Sequence, residues 1–247
     1  DAMGNIATPN TEPGVTTTSA SVAYSSVLAD VGAQPTDAID QYYIDGGGLN
    51  PPAVGSCGGG SSSGGGGGGE GTYLSDDTKD GYVRESSETS GVGDYAKATN
   101  NWVGDDASKR QHVCILSFDT SAIPDGATIT SATLSIKRLG KKGTPESTLG
   151  ALTADIKNGT YGTINLQISD FEAASSATNV VTLPFPSGNG DWSEGALNSS
   201  GLSNINKTGY TQFKLHFAID DDNDSIADYL DIYDNGDPPQ LNVIWSN

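Results

Sequence analysis

The sequence predicts an all-β fold: a two-sheet β-sandwich preceded by an extended N-terminal arm. Three observations carry the prediction. Phe213, Leu215, Phe217 and Ile219 alternate with Lys214, His216 and Ala218, the period-two pattern of a strand with one face buried and one in solvent. Eight or more such short runs follow one another between Gly, Pro, Asn and Asp clusters such as Pro124-Asp125-Gly126, Ser187-Gly188-Asn189-Gly190 and Asn235-Gly236-Asp237, the punctuation of a sandwich. The chain of 247 residues has one Met, 33 Gly, 11 Pro and only 34 % hydrophobic residues, so heptads and helical bundles have little to build on.

Charge and composition divide the chain into an arm (1–54), a Gly/Ser-rich tract (55–71) and a β domain (72–247). Residues 1–70 hold seven acids and no Lys or Arg, and 11 of the 17 residues from Gly55 to Gly71 are Gly. Such a tract has maximal backbone freedom and reads as a flexible linker. In the arm, Val15-Thr16-Thr17-Thr18 favours extended chain because β-branched side chains are stiff. Ala20–Leu28 suits helix or strand, and Thr36 is placed to cap a short helix through Tyr43. In the domain, strands are expected over 113–118, 127–137, 152–156, 163–168, 179–183, 213–219, 229–233 and 241–245. One helical turn is expected at Leu202–Asn206, and a capping-box pattern, Ser169 with Glu172, precedes another.

The formal net charge is −19. An acidic surface repels phosphate backbones, which argues against nucleic acid as a partner. No run of about 18 apolar residues exists for a membrane-inserted helix. The chain starts at Asp1 and is read as a mature, secreted or cell-surface protein whose targeting segment has been removed.

Four stretches carry a family resemblance: Asp80-Gly81-Tyr82-Val83; Ser117-Phe118-Asp119-Thr120-Ser121-Ala122-Ile123-Pro124-Asp125-Gly126-Ala127-Thr128-Ile129; Ser131-Ala132-Thr133-Leu134; and Thr211-Gln212-Phe213-Lys214-Leu215 running into an acidic segment. In order and spacing they resemble the DNRLRE domain, related to carbohydrate-binding module family 96. The resemblance covers roughly residues 72–247, and the six-residue string that names the family is absent. It implies a jelly-roll sandwich, extracellular or cell-surface location and, in some members, polysaccharide binding. The residues themselves ask less: Pro124 fixes φ and Gly126 permits the turn, so a structural role suffices.

The acidic segment is the sharpest chemical signal. Counted from Asp220, carboxylates fall at positions 1, 3, 5, 9 and 12 (Asp220, Asp222, Asp224, Asp228, Asp231), with the backbone carbonyl of Ile226 at position 7. That is calcium-loop spacing, and clustered hard oxygen donors select Ca²⁺. Position 6 is Ser225, where such loops use Gly. A solvated acidic loop is the competing reading. Asp76, Asp77 and Asp80, or Asp105 and Asp106, read first as ordinary surface acids and second as another cation site. Cys57 and Cys114 are open to an intramolecular disulfide, to cross-links between subunits, or to remaining as thiols. Trp102 and Trp192 are candidates for stacking on sugar rings. Asn158, Asn198, Asn206 and Asn223 begin Asn-x-Ser/Thr triplets. With two His and no nucleophile–base pairing, the sequence does not suggest an enzyme.

Two functions fit. The first is a structural subunit of an extracellular, pilus-like filament, calcium-stabilised, in which the arm of one copy (Val15, Val22, Tyr24, Val27 and Leu28 in the donor segment) adds as a strand to an edge of the next copy; a contact of that kind does not close on itself and propagates. The second is a secreted carbohydrate-binding module with the glycine tract as an ordinary linker.

Overall fold

The computed structural model describes residues 67–247; the arm and most of the glycine tract, with Cys57 and the donor segment, lie outside them. Twelve strands follow in order: β1 (Gly69–Leu74), β2 (Gly81–Glu85), β3 (Gly93–Ala98), β4 (Asn101–Asp105), β5 (Gln111–Asp119), β6 (Thr128–Lys142), β7 (Leu152–Asn158), β8 (Ala177–Leu183), β9 (Trp192–Ala196), β10 (Tyr210–Phe217), β11 (Tyr229–Ile232) and β12 (Gln240–Ser246). Two short helices, α1 (Pro145–Thr148) and α2 (Ser199–Ser203), complete the set with a 3₁₀ turn at Ile168–Asp170. No helix among the described residues is long and apolar enough to cross a membrane.

All strand pairs are antiparallel, and β6 explains how they make one curled sheet. Its first ten residues pair with β12 and β9, and its last five, from Arg138, pair with β11. The order is β1-β12-β6-β11-β4-β5-β10-β7-β8, with β2 and β3 on the other side of β5. The curl brings Gly195 of β9 against Val181 and Leu183 of β8. The fold is thus all-β, two faces of one sheet packed on a shared core as in a β-sandwich. Phe118 and Phe213 meet edge to face at 5.8 Å in that core, with Leu116, Leu134, Ile136, Ile156 and Leu215 fully buried around them. Truncating either Phe to Ala leaves a cavity costing about 3–5 kcal/mol.

β5 is buried on both faces, so Val113-Cys114-Ile115-Leu116 reads as a continuous apolar run rather than an alternation. Its second face, Val113 and Ile115 with Val83 of β2, is covered by residues of the β7–β8 connection, chiefly Tyr161, Leu166, Phe171 and Ala173. Several expectations change as a result. Residues 163–168 are part of that cover and not a strand. The capping box there is made by Gln167 and Asp170, not by Ser169 and Glu172. β10 ends at Phe217, leaving Ile219 exposed, and the helical turn near 202 starts three residues early, with Asn198 accepting from Gly201 N–H as its cap. The folded unit also begins inside the glycine tract, since Gly69 and Gly71 belong to β1. Among the described residues, β1, β3, β8 and β9 each pair with a single neighbouring strand.

Candidate functional site

The acidic loop between β10 and β11 gathers three of its predicted ligands. Carboxylate oxygens of Asp222, Asp224 and Asp228 lie within 4.8 Å of one another. Local hydrogen bonds shape the loop: Asp221 accepts from Asn223 N–H at 2.9 Å, Asp222 from Asp224 N–H at 3.1 Å, and Asp224 from Ile226 N–H at 2.6 Å. Asn223 and Ser225 both take φ of +64°, so Ser225 adopts the left-handed bend for which calcium loops use Gly, at a strain of about 1–2 kcal/mol per residue. Asp220 and Asp231 stand outside the triad: Asp220 is exposed, and Asp231 sits on β11 opposite Trp102, where burial raises its pKa. The strand that begins at Tyr229 carries position 12 away from the loop. The Ile226 side chain is exposed.

Two other elements fix this loop to the sheet. Asp228 accepts from Thr144 N–H through Oδ1, and a Cβ on Gly143 (φ +60°) would collide with that same oxygen, so only glycine fits there. Asp105, at the end of β4, accepts from Asp228 N–H at 2.8 Å, and its own N–H donates to Asp228 O at 2.8 Å. Asp105 is thereby an additional acidic member of this corner. Burial pushes its pKa up to about 7, with Asp222 and Asp228 adding to the rise against hydrogen bonds that lower it. The carboxylates of Asp222, Asp224 and Asp228, with Asp105 hydrogen-bonded behind Asp228, offer the oxygen donors a hard divalent cation takes, while Lys109 Nζ donates to Asn223 of the same loop at 3.1 Å.

Of the other candidate acids, Asp76, Asp106 and Asp80 are each held separately. Asp76 pairs with Lys79. Asp106 accepts from Arg110 at 2.9 and 2.6 Å. Asp80 is buried, accepting from Ser117 N–H at 2.6 Å. Cys114 is a free thiol inside the core whose pKa burial raises, and its suggested partner Cys57 falls outside the described residues.

The two candidate tryptophans stand in different halves of the sheet. Trp102 is the middle of a stacked row: Tyr82 lies at 5.2 Å and 14° on one side, Tyr229 at 4.7 Å and 22° on the other. Tyr95 and His112 flank Tyr82 at 6.0 and 4.9 Å. Trp102 thus stacks on two protein rings, which take up ring surface that a pyranose would need. The row ties β3, β2, β5, β4 and β11 together, each ring pair adding about 0.5–1.5 kcal/mol beyond its buried area. Trp192, on β9, is partly exposed and has Lys137 Nζ 5.6 Å from its ring, the same ammonium lying 5.4 Å from Tyr233.

The polar face of β10 is where the sequence reading was most incomplete. Lys214 and His216, expected in solvent, lie under the 159–176 cover. Lys214 Nζ donates to Phe171 O at 2.7 Å and Ala173 O at 2.9 Å, and sits 4.6 Å from the Tyr161 ring centre. Burial lowers its pKa to about 8, with Asp155 and Asp170 opposing that shift. His216 places Nδ1 2.9 Å from Phe217 O and Nε2 3.3 Å from Asp155. Burial acts to lower its pKa, and these hydrogen bonds outweigh it and raise it. Ser175 donates to the other Asp155 oxygen at 3.0 Å. The carboxylate, not the imidazole, stands between serine and histidine, and both ring nitrogens are engaged, which is not the order a nucleophile–base relay needs. The signal available in the sequence was the apolar set Tyr161, Leu166 and Phe171, which needs a surface to cover.

No family model matches the chain, and no curated protein matches it.

Proposed function

We propose that the chain is a structural subunit of an extracellular filament, in which the N-terminal arm of one copy adds as a strand to the β domain of the next and a calcium ion stiffens the β10–β11 corner. The observation that carries this reading is a sheet with edge strands lacking a second partner among the described residues, joined to 66 further residues whose first 54 carry no base and include β-branched, chargeless stretches. An unpaired edge presents a row of main-chain donors and acceptors that another strand satisfies. The Asp222, Asp224 and Asp228 oxygens, with Asp105 behind them, would hold the cation, and its charge would offset their mutual repulsion. The DNRLRE resemblance, with its jelly roll and surface location, agrees with this proposal. The polysaccharide reading draws its support chiefly from the more exposed Trp192, since Trp102 stacks on Tyr82 and Tyr229.

The test is deletion of residues 1–50 followed by negative-stain electron microscopy and sedimentation at rising concentration. The full chain is expected to form filaments and the deleted chain to stay monomeric. Filaments unchanged by the deletion would refute the proposal.

A further inference from the structure

We infer that β1 is the acceptor edge, and that its occupant is residues 20–28 of a second copy of this chain; the inference rests on the filament reading and names its contact. Each of the other three single-partner strands is obstructed. β8 pairs with β7 through a register shift and carries Asn179 at φ +50°, a bulge that bends an edge out of line. β3 opposes a second register shift in β2, carries Asp94 and Lys97, and is approached by the 159–176 cover, where Glu172 accepts from Gly93 N–H at 3.1 Å. β9 is five residues long and packs by Gly195 on β8. By contrast, β1 runs in unbroken register with β12 from Gly69 opposite Trp245 to Leu74 opposite Gln240. It contains no Pro, Lys or Arg, and among the described residues only its C-terminal end is covered, where Ser75 bridges Phe118 of β5.

The register fixes which groups face outward. Ser75 N–H donates to Pro239 O at 2.9 Å, so the pair 75–239 is of the hydrogen-bonded type. Alternation then turns Gly69, Gly71 and Tyr73 toward β12, and aims the N–H and C=O of Glu70, Thr72 and Leu74 at the other side. Just past Leu74 that side is taken by β5, where Ser75 bridges Phe118 and Asp76 N–H donates to Ser117 O at 2.8 Å. The four groups of Glu70 and Thr72 are what an added strand would pair with.

The underside of β1 supplies the apolar half of the contact. A Cβ at Gly69 would lie 2.7 Å from Trp245 Cζ2, and one at Gly71 3.0 Å from Tyr73 Oη. Each ring therefore lies across a glycine, covered there by bare backbone. Both rings are only partly buried against the core. A strand laid beside β1 covers their remaining surface if it carries an apolar side chain at every second position.

Residues 20–28 have that pattern at four positions of five. Ala20, Val22, Tyr24 and Leu28 fall on one face with Ser26 among them, Ser21, Ala23, Ser25 and Val27 on the other, and no charge occurs in the segment. Nine extended residues span about 30 Å against about 20 Å for the six of β1, so the donor is long enough to overlap the open part of the edge.

Two complementary full-length variants test this. Thr72→Pro removes an outward N–H and leaves the bonds to β12 in place, so it can donate but not accept. Tyr24→Asp puts a charge on the apolar face of the donor, so it can accept but not donate. Neither is expected to polymerise alone at concentrations where the wild type forms filaments, while an equimolar mixture gives a 1:1 dimer by sedimentation. Thermal melting checks that each is folded. Leu74→Lys, at an exposed side chain, is expected to give the same loss as Thr72→Pro should proline disturb the strand. Filaments from both edge variants, with Tyr24→Asp still monomeric, would place the acceptor elsewhere and overturn this inference while sparing the filament reading. A wild type that stays monomeric at every concentration removes the filament reading and this contact together.

Discussion

Asp80 provides the most direct quantitative test of the fold's energetics. Its side chain is 1 % exposed. One oxygen accepts from Ser117 N–H at 2.6 Å, and the other has no hydrogen-bond partner. Burial pushes its pKa up to about 8, the Ser75 hydroxyl and the Ser117 N–H oppose this, and the nearby charges of Asp76 and Asp77 add to the rise. The unfolded value is 3.8, so between pH 4 and 8 the folded state holds a proton that the unfolded state has released. Stability then falls as pH rises through that window, by about 1.4 kcal/mol per pH unit. At pH 7 the accumulated cost is about 4 kcal/mol, an upper bound because buried groups relax. Asp80→Asn keeps an acceptor for Ser117 and removes the titration. Urea unfolding of both proteins from pH 3.5 to 7.5 isolates Asp80, since Asp105 and Asp170, whose pKa values are also raised, cancel in the difference. The variant should gain on the wild type steadily above pH 4 and lead by several kcal/mol at pH 7. A stability difference that does not change with pH would refute the assignment of a neutral, buried Asp80.

Two further outcomes follow from the other clusters. Calcium at a hundred times its dissociation constant would stabilise the domain by about 2.7 kcal/mol, a rise of about 5–10 °C in Tm for a unit of this size. Asp224→Asn, at the exposed member of the triad, is expected to abolish that rise without moving the Tm in EDTA; a calcium-insensitive wild type would refute the site. Lys214→Met leaves Phe171 O and Ala173 O without their donor and should cost about 2–3 kcal/mol at pH 7, with faster proteolysis within 159–176. Because burial depresses the Lys214 pKa to about 8 from 10.5, the folded state gives up its proton first. The wild type therefore gains stability from pH 8 to 10.5, and the Met variant should lack that gain in a denaturant series over the same range.

Strands with a strong period-two or continuous apolar pattern were legible in the sequence, as β5, β6, β7, β10, β11 and β12 show. Those missed are short or lack that signal. β1 is one-third glycine where rings lie across it, and its neighbours supply the apolar surface that its own sequence lacks. β3 has exposed residues on both faces, leaving no periodicity to detect. β4 has Gly and Asp among its five residues because its end serves the acidic corner. The polar face of β10 was misassigned for a different reason. Lys214 is soluble-looking by type, yet two carbonyls and a tyrosine ring take the place of water around it. The acidic loop was legible as three of five carboxylates, because spacing along the chain fixes neighbours within a turn. It cannot report that a strand begins at Tyr229 and carries Asp231 away, or that Asp105, more than a hundred residues earlier, arrives beside Asp228.

The net charge of −19 bears on assembly through distance. Exposed charges are screened beyond about 8 Å at physiological ionic strength, so the repulsion that matters between copies is local to their contact. On the filament reading, the donor segment 20–28 brings no charge to that contact and β1 brings only Glu70. Main-chain hydrogen bonds and the covering of Tyr73 and Trp245 then act nearly unopposed at the edge, while acids elsewhere keep separate copies from associating by other surfaces. Binding of a divalent cation at the β10–β11 corner acts in the same direction, since it lowers the net negative charge of the domain without occupying an edge strand.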